Sequence, residues 1–353
     1  MEQTSQQPIR ANDPAWDIAD LTSRLATALA DKNPTDICLI VNTSGSTGES
    51  VEVGITASGL LSSARAAHEY LGAKAGQIWS LLLPLNHIAG INVLVRSIEL
   101  GTTPIDLREV QGKYPDADFT AIVPTQLYRA LNGGSELLQH LKNAKGVLVG
   151  GAPLTIAMRK SAESAGIRIV ETYGMTETCG GCIYDGIPLT GTSFRLNENN
   201  QIQISGSTLA ITYLNNPDLW SQKIVDGFFQ TTDLGKIEDG KLLIIGRADE
   251  VIISGGEKVS ISKVEKLIQE KFAGISCAAF AVQDQQWGQS LQLAIAGLIK
   301  PELSIINEYL SSQLSASAKI KKIIYLTDLP RTSLDKIDRS KLIEISHEDK
   351  DVE

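Results

Sequence analysis

Between residues 77 and 171 the sequence alternates short apolar runs with longer amphipathic stretches, and glycines punctuate the joins. The runs at 78–83, 119–123, 147–149 and 167–171 are short and mostly apolar, which predicts strands. The stretches at 87–100, 125–131 and 154–165 predict helices ended by Gly101, Asn132-Gly133-Gly134 and Gly166. Such β–α alternation leaves few architectures: a mostly parallel sheet with helices over its faces. Upstream, Ile18, Leu21, Leu25 and Leu29 share one helical face. Residues 37–41 and 51–55 predict two strands, and 58–71 a helix ended by Gly72.

After Ile183 the pattern changes. Short runs at 202–204, 208–213, 228–231 and 242–245 predict a small all-β section. From residue 244 onward a strand, a helix at 262–272, strands at 278–282 and 291–298, a helix at 303–314 and a strand at 323–326 predict an α+β unit. The expected fold class is α/β: a large N-terminal domain with a helix-covered, mostly parallel sheet plus a small β section, and a small α+β C-terminal domain. We place the boundary near Arg247–Asp249, giving domains 1–247 and 248–353.

Charge and composition exclude several function classes. The 353 residues carry 32 Lys and Arg against 41 Asp and Glu, a net charge of −9. A general nucleic-acid binder needs a basic face, so nucleic acid is not an expected partner. The segment to residue 14 is polar and lacks the order of a signal peptide. The densest apolar stretch, 78–85, contains Ser80 and Pro84 and is too short to span a bilayer. Four cysteines are too few for a disulfide framework in a chain this long. A reduced, cytoplasmic protein without membrane insertion is expected.

Four motifs carry chemistry. Thr43-Ser44-Gly45-Ser46-Thr47-Gly48 offers N–H and O–H donors on a backbone free to curl round phosphate oxygens. It lacks the Gly-Lys-Ser/Thr of a Walker A loop and lies between two predicted strands, so a phosphate-loop NTPase is disfavoured. Its bland reading is a surface turn. Residues 171–178, Glu-Thr-Tyr-Gly-Met-Thr-Glu-Thr, directly follow a predicted buried strand, where open α/β sheets bind ligands. There Tyr173 can stack on a base, Thr176 can donate to a phosphate, and Glu177 can hold hydrated Mg²⁺ or be merely solvated. Asp233, in Thr-Thr-Asp-Leu-Gly, and Arg247 can meet a ribose or a phosphate, or serve as a turn residue and a surface cation. Lys336 lies in a C-terminal loop, residues 329–339. Cys179-Gly180-Gly181-Cys182 has redox or zinc spacing but no second pair, so small residues lining a pocket are the better reading. His87, at a strand-to-helix junction, can meet an anion or serve structure alone.

Together, in this order, the motifs resemble those of the acyl-adenylate-forming superfamily: acyl- and aryl-CoA ligases, luciferase and peptide-synthetase adenylation domains. Residues 83–90, 93–97, 123–127, 147–153 and 173–184 look most like its compact o-succinylbenzoate–CoA ligase branch. The resemblance implies an AMP-forming acid–thiol ligase using ATP, Mg²⁺ and CoA, with a mobile C-terminal domain. It implies that Thr43, Ser44, Gly45, Ser46, Thr47 and Gly48 embrace the β- and γ-phosphates. Gly150, Gly151 and Ala152 would border the adenine with Tyr173 beside it, and Thr172 and Gly174 would also bind ATP. Thr176 would touch the α-phosphate, Glu177 the metal, and Asp233 and Arg247 the ribose side. Lys336 would be catalytic, with Thr176 and His87. His87, Arg96, Cys179 and Gly180 would line the acid site, Asp249 would be the hinge, and Gly255 and Gly256 would face the thiol step. Two departures stand out: Glu49-Ser50 where the superfamily usually has Pro-Lys, and Asp335 where it usually has Gly before the lysine. A ligase for another aromatic or short-chain acid, or a weakly catalytic adenylate-binding module, shares the same motifs.

Overall fold

The computed structural model describes residues 7–11, 16–30, 36–44, 50–248, 251–254, 257–272, 274–284, 288–297, 299–314, 318–331 and 337–348. The chain packs as two units, residues 1–231 with 236–243, and residues 232–235 with 244–353.

The first unit is built on a seven-stranded sheet. Its spatial order is Ile187–Pro188, Gly180–Tyr184, Ile169–Met175, Gly146–Val149, Phe119–Ile122, Trp79–Leu81 and Ile105–Asp106. The five strands from Ile169–Met175 to Ile105–Asp106 are parallel, and the first two are antiparallel additions. Alternation along each strand divides its side chains between two cores. Phe119, Ala121 and Leu148 join the core formed with the helices Ile18–Ala30, Ala57–Leu71 and Ile88–Glu99. Ile122, Val147 and Val149 join the core under the helices Pro124–Leu131, Ser135–Asn143 and Ile156–Ser164. Both faces are apolar because both are covered.

A second sheet pairs Ile37–Ser44 antiparallel with Ser50–Thr56, and places Ile9–Arg10 and Thr212–Tyr213 on its edges. The predicted strand at 208–213 is therefore corrected: only its last two residues are extended, and they join this sheet rather than the small β section. The small β section comprises Thr192–Leu196, Gln201–Gly206, Phe228–Glu238 and Ile224–Val225. Lys241–Arg247 returns along Phe228–Glu238 and leads the chain into the second unit.

The second unit is α+β. Gly288–Ala296 pairs with Ser276–Asp284, antiparallel, with Ile320–Leu326, parallel, and at its start with Val251–Ser254, which in turn pairs with Glu257–Ser260. Helices Ile261–Lys271 and Leu303–Gln313 supply Val264, Ile268, Ile306 and Leu310 to its core. Leu342, from the helix Arg339–Glu348, fills a second cluster with Phe280 and Ile324.

Candidate active site

The parallel strands direct their carboxyl ends to one edge of the large sheet, the edge at which such sheets bind ligands. His87 follows Trp79–Leu81, Gly150, Gly151 and Ala152 follow Gly146–Val149, and Thr176 and Glu177 follow Ile169–Met175. The predicted end of that last strand at residue 171 is corrected: Thr172, Tyr173, Gly174 and Met175 stay extended and pair antiparallel with Gly180–Tyr184. The approach is close. A β-carbon at Gly174 would lie 2.0 Å from the Gly180 carbonyl oxygen, and one at Gly150 would lie 2.3 Å from Thr172 Oγ1. The ATP-binding candidates Gly150 and Thr172 are thus neighbours. Tyr173 leans on a cluster containing Cys182, Ile183, Ile202 and Ile204.

Thr176, Glu177 and Thr178 form one 3₁₀ turn, closed by Cys179 at φ 51°. Thr178 accepts from the Met175 N–H at 2.9 Å and lies 2.7 Å from the Gly180 carbonyl, so its hydroxyl braces both sides of the turn. The Cys179 carbonyl accepts from Ser63 Oγ at 3.0 Å and Asn92 Nδ2 at 2.8 Å, both buried. Gly180 follows at φ 91°, where a β-carbon would stand 2.2 Å from Asn92 Nδ2. Asn92 belongs to the helix capped by His87, so the acid-side candidates His87, Cys179 and Gly180 share one neighbourhood. Sequence reasoning missed Ser63 and Asn92. The available signal was a polar residue at 92 within the apolar run 91–95.

Glu177 is half-buried and its Oε1 accepts from Tyr213 Oη at 2.7 Å. Burial and the adjacent carboxylate push the Tyr213 hydroxyl well above the ordinary phenol range, so it remains a donor. Tyr213, also missed, lies on the edge strand whose partner is Ser50–Thr56. Mg²⁺ takes hard oxygen donors and shares its shell with phosphates and water. A single oriented carboxylate at a strand end fits that role, and Thr176 adds an adjacent hydroxyl. Cys179 and Cys182 are fully buried, and burial raises both thiols, Cys182 to about 12. No group of three or more potential metal ligands occurs among the described residues.

Arg96 is buried. Its Nη2 donates to Tyr184 Oη at 3.2 Å and its guanidinium lies 5.0 Å from the Trp79 ring centroid. Thr43 pairs with Val51 and Ser44 with Ser50, so the glycine loop joins two antiparallel strands, as expected. Gly45, Ser46, Thr47 and Gly48 lie outside the described residues, as do Asp249, Gly255, Gly256 and Lys336. Within the second unit Arg247 Nη1 lies 3.4 Å from Asp233 Oδ1. Arg331 and Ile337 form an antiparallel bridge on either side of the segment containing Lys336. Beyond it Arg339 donates to Glu265 Oε1 at 2.9 Å and to the Ala279 carbonyl at 3.1 Å, tying the last helix to the sheet.

The probable 2-succinylbenzoate–CoA ligase of Mycobacterium tuberculosis is 37% identical over 328 residues, covering 87% of this chain and 84% of that protein. The ATP-bound RpMatB-BxBclM chimera B3 superposes with a TM-score of 0.79 at 24% identity, over 90% of this chain and 70% of the chimera. The o-succinylbenzoate CoA synthetase (MenE) of Bacillus subtilis, complexed with the acyl-adenylate intermediate OSB-AMP, superposes at 0.75 with 22% identity, over 88% and 69%. These two structures share the two-domain fold of this chain. The family described as AMP-binding enzyme matches residues 2–208, and the chain belongs to it.

Proposed function

We propose that this protein is an AMP-forming o-succinylbenzoate–CoA ligase acting in menaquinone biosynthesis. It would convert o-succinylbenzoate, ATP and CoA to o-succinylbenzoyl-CoA, AMP and pyrophosphate. The observation that carries the substrate is the 37% identity to the mycobacterial ligase over most of both chains. The reading is of a cytoplasmic enzyme, because ATP and CoA are cytoplasmic metabolites. No described helix is long and apolar enough to cross a membrane.

A carboxylate does not react with a thiol because oxide is a poor leaving group. In the first step a carboxylate oxygen attacks the α-phosphorus in line, the bond to the bridging oxygen breaks, and pyrophosphate leaves with that electron pair. Negative charge grows on the equatorial oxygens, where the Thr176 hydroxyl and the Lys336 ammonium would stabilise it. Glu177 would hold Mg²⁺, which when bound neutralises phosphate charge. The Thr43–Gly48 loop would take the terminal phosphates, Gly150, Gly151 and Ala152 with Tyr173 the adenine, and Asp233 with Arg247 the ribose. In the second step the CoA thiolate attacks the acyl carbon and AMP leaves. We assign that step to Gly255 and Gly256, reached by rotation of residues 248–353 about Asp249.

The second carboxylate of the diacid is costly to bury unpaired. We assign its neutralisation to His87 and the backbone N–H groups around Gly180, with Arg96 contributing its charge from within the wall. The test compares kcat/KM for o-succinylbenzoate, benzoate and a short fatty acid, with AMP release as readout. The diacid is expected to win by at least about tenfold, the equivalent of ~1.4 kcal/mol. A monoacid that matches it would remove the substrate assignment and leave an acid–CoA ligase of other specificity.

A further inference from the structure

We infer that Tyr213 is a positioning residue for Glu177, and that residues 210–215 strap the phosphate hairpin to the metal-side turn. The inference rests on the reading of Glu177 as the Mg²⁺-holding carboxylate. Tyr213 Oη donates to Glu177 Oε1 at 2.7 Å, and the Ala210 N–H donates to the Glu177 carbonyl at 2.8 Å. The same short segment grips the strand that follows the glycine loop. The Ile211 N–H donates to the Gly54 carbonyl at 3.1 Å, and the Leu214 N–H to the Glu52 carbonyl at 2.8 Å. Asn215 closes the end: its Nδ2 donates to the Ser50 carbonyl at 2.9 Å and its Oδ1 accepts from the Glu52 N–H at 2.9 Å.

The ring of Tyr213 cannot swing away from this bond at low cost. It is 2% exposed and meets Trp220 edge-on at 5.1 Å, and Trp220 in turn stacks on Phe229 at 5.2 Å. One oxygen of Glu177 is thereby fixed, which sets the direction of the carboxylate. Because the strap also holds Ser50, Glu52 and Gly54, the carboxylate and the base of the phosphate loop keep one register. Partners that orient a ligating carboxylate typically matter 10- to 100-fold in metal affinity.

The test is Tyr213→Phe, which keeps the ring and removes only the hydroxyl. Nucleotide binding is measured by calorimetry for AMP and for ATP across a Mg²⁺ titration, and Mn²⁺ binding to the ATP complex by electron paramagnetic resonance. We expect the half-saturating Mg²⁺ concentration, and the Mn²⁺ dissociation constant, to rise about tenfold. AMP affinity should stay within twofold. In a Glu177→Gln background the added Tyr213→Phe change should have little further effect on metal dependence. An equal loss of AMP and Mg·ATP affinity would make Tyr213 a structural prop and overturn the inference, as would no loss at all. If Tyr213→Phe proves unstable to heat, Asn215→Ala tests the strap: it should also raise the Mg²⁺ requirement while sparing AMP, and failure to do so overturns the inference. If Glu177→Gln itself leaves metal dependence unchanged, the metal assignment fails, and that outcome is distinct from a fault in Tyr213.

Discussion

The Cys179 carbonyl is the best place to test how the acid-side turn is held, because it is buried and has two donors, Ser63 Oγ at 3.0 Å and Asn92 Nδ2 at 2.8 Å. A buried hydrogen bond is worth about 1 kcal/mol net, whereas a buried carbonyl left with no donor costs about 1–3 kcal/mol. Ser63→Ala removes one donor and leaves the other, so it should cost about 1 kcal/mol. Asn92→Ala also removes three packed heavy atoms, which raises its cost to about 1–2 kcal/mol. The double variant leaves the oxygen without either donor, so its loss should exceed the sum by about 1 kcal/mol. Urea unfolding of the four proteins measures the coupling, and kcat/KM for the acid should follow the same order because Gly180 moves with Cys179. Additivity within about 0.5 kcal/mol would show that the two side chains do not share one acceptor, and the account of the turn would be wrong.

Other outcomes follow from residues placed above. Lys336→Ala should slow adenylate formation about 10²–10³-fold while sparing thioester formation from supplied acyl-adenylate; equal losses in both half-reactions would refute the role. Asp233→Ala should weaken ATP binding by about 1.5–3 kcal/mol in calorimetry, and an unchanged affinity would return Asp233 to its ion pair with Arg247. His68 and His140 are buried, and burial lowers both below the ordinary histidine value, with the Arg96 charge adding to the effect at His68 against the opposing bond to Glu99. The unfolded chain therefore takes up protons first, so stability should be level above about pH 6.5 and fall as pH drops through that value toward the lower folded pKa values. Melting temperatures at pH 7.5, 6.5 and 5.5 test this, and His140→Asn should flatten the slope.

What the sequence reveals follows from how local each signal is. Apolar runs and glycine stops are local, and they located four of the five parallel strands and three of the helices between them, missing the two-residue strand Ile105–Asp106. The αL cap at Gly72, φ 63°, ends its helix where the sequence places the stop. Helix Ser135–Asn143 was not legible because its first turn, Ser-Glu-Leu-Leu, follows Gly133-Gly134 and reads as a continued loop. The extension of Ile169–Met175 was missed because Thr172, Tyr173, Gly174 and Met175 break the continuous aliphatic run, and their strand form depends on partners five to twelve residues later. Tyr213 and Ser63 were invisible as site residues for a related reason, and Asn92 showed only as a polar residue in an apolar run: each is defined by a contact distant in sequence. Tyr213 meets Glu177 across 36 positions, and Asn92 meets Cys179 across 87.

The location proposed for the nucleotide coincides with a change of pairing along one strand. Val147, Leu148 and Val149 pair with Ile169, Val170 and Glu171, and there the parallel ladder ends. Thr172 to Met175 continue beyond it, held on their other edge by Gly180–Tyr184. Residues 172–175 are thus held by a neighbour on one side and face the end of the Gly146–Val149 strand on the other, next to Gly150. Strand edges without a ladder partner present N–H and C=O groups that a ligand can use. The antiparallel addition needs Gly174 without a side chain, since a β-carbon there would fall 2.0 Å from the Gly180 oxygen. Gly174→Ala should therefore separate the two strands and disturb Thr172, Tyr173 and Thr176 together. Its signature would be a parallel loss of ATP affinity and thermal stability; loss of either one alone would mean that the seam does not organise the nucleotide edge.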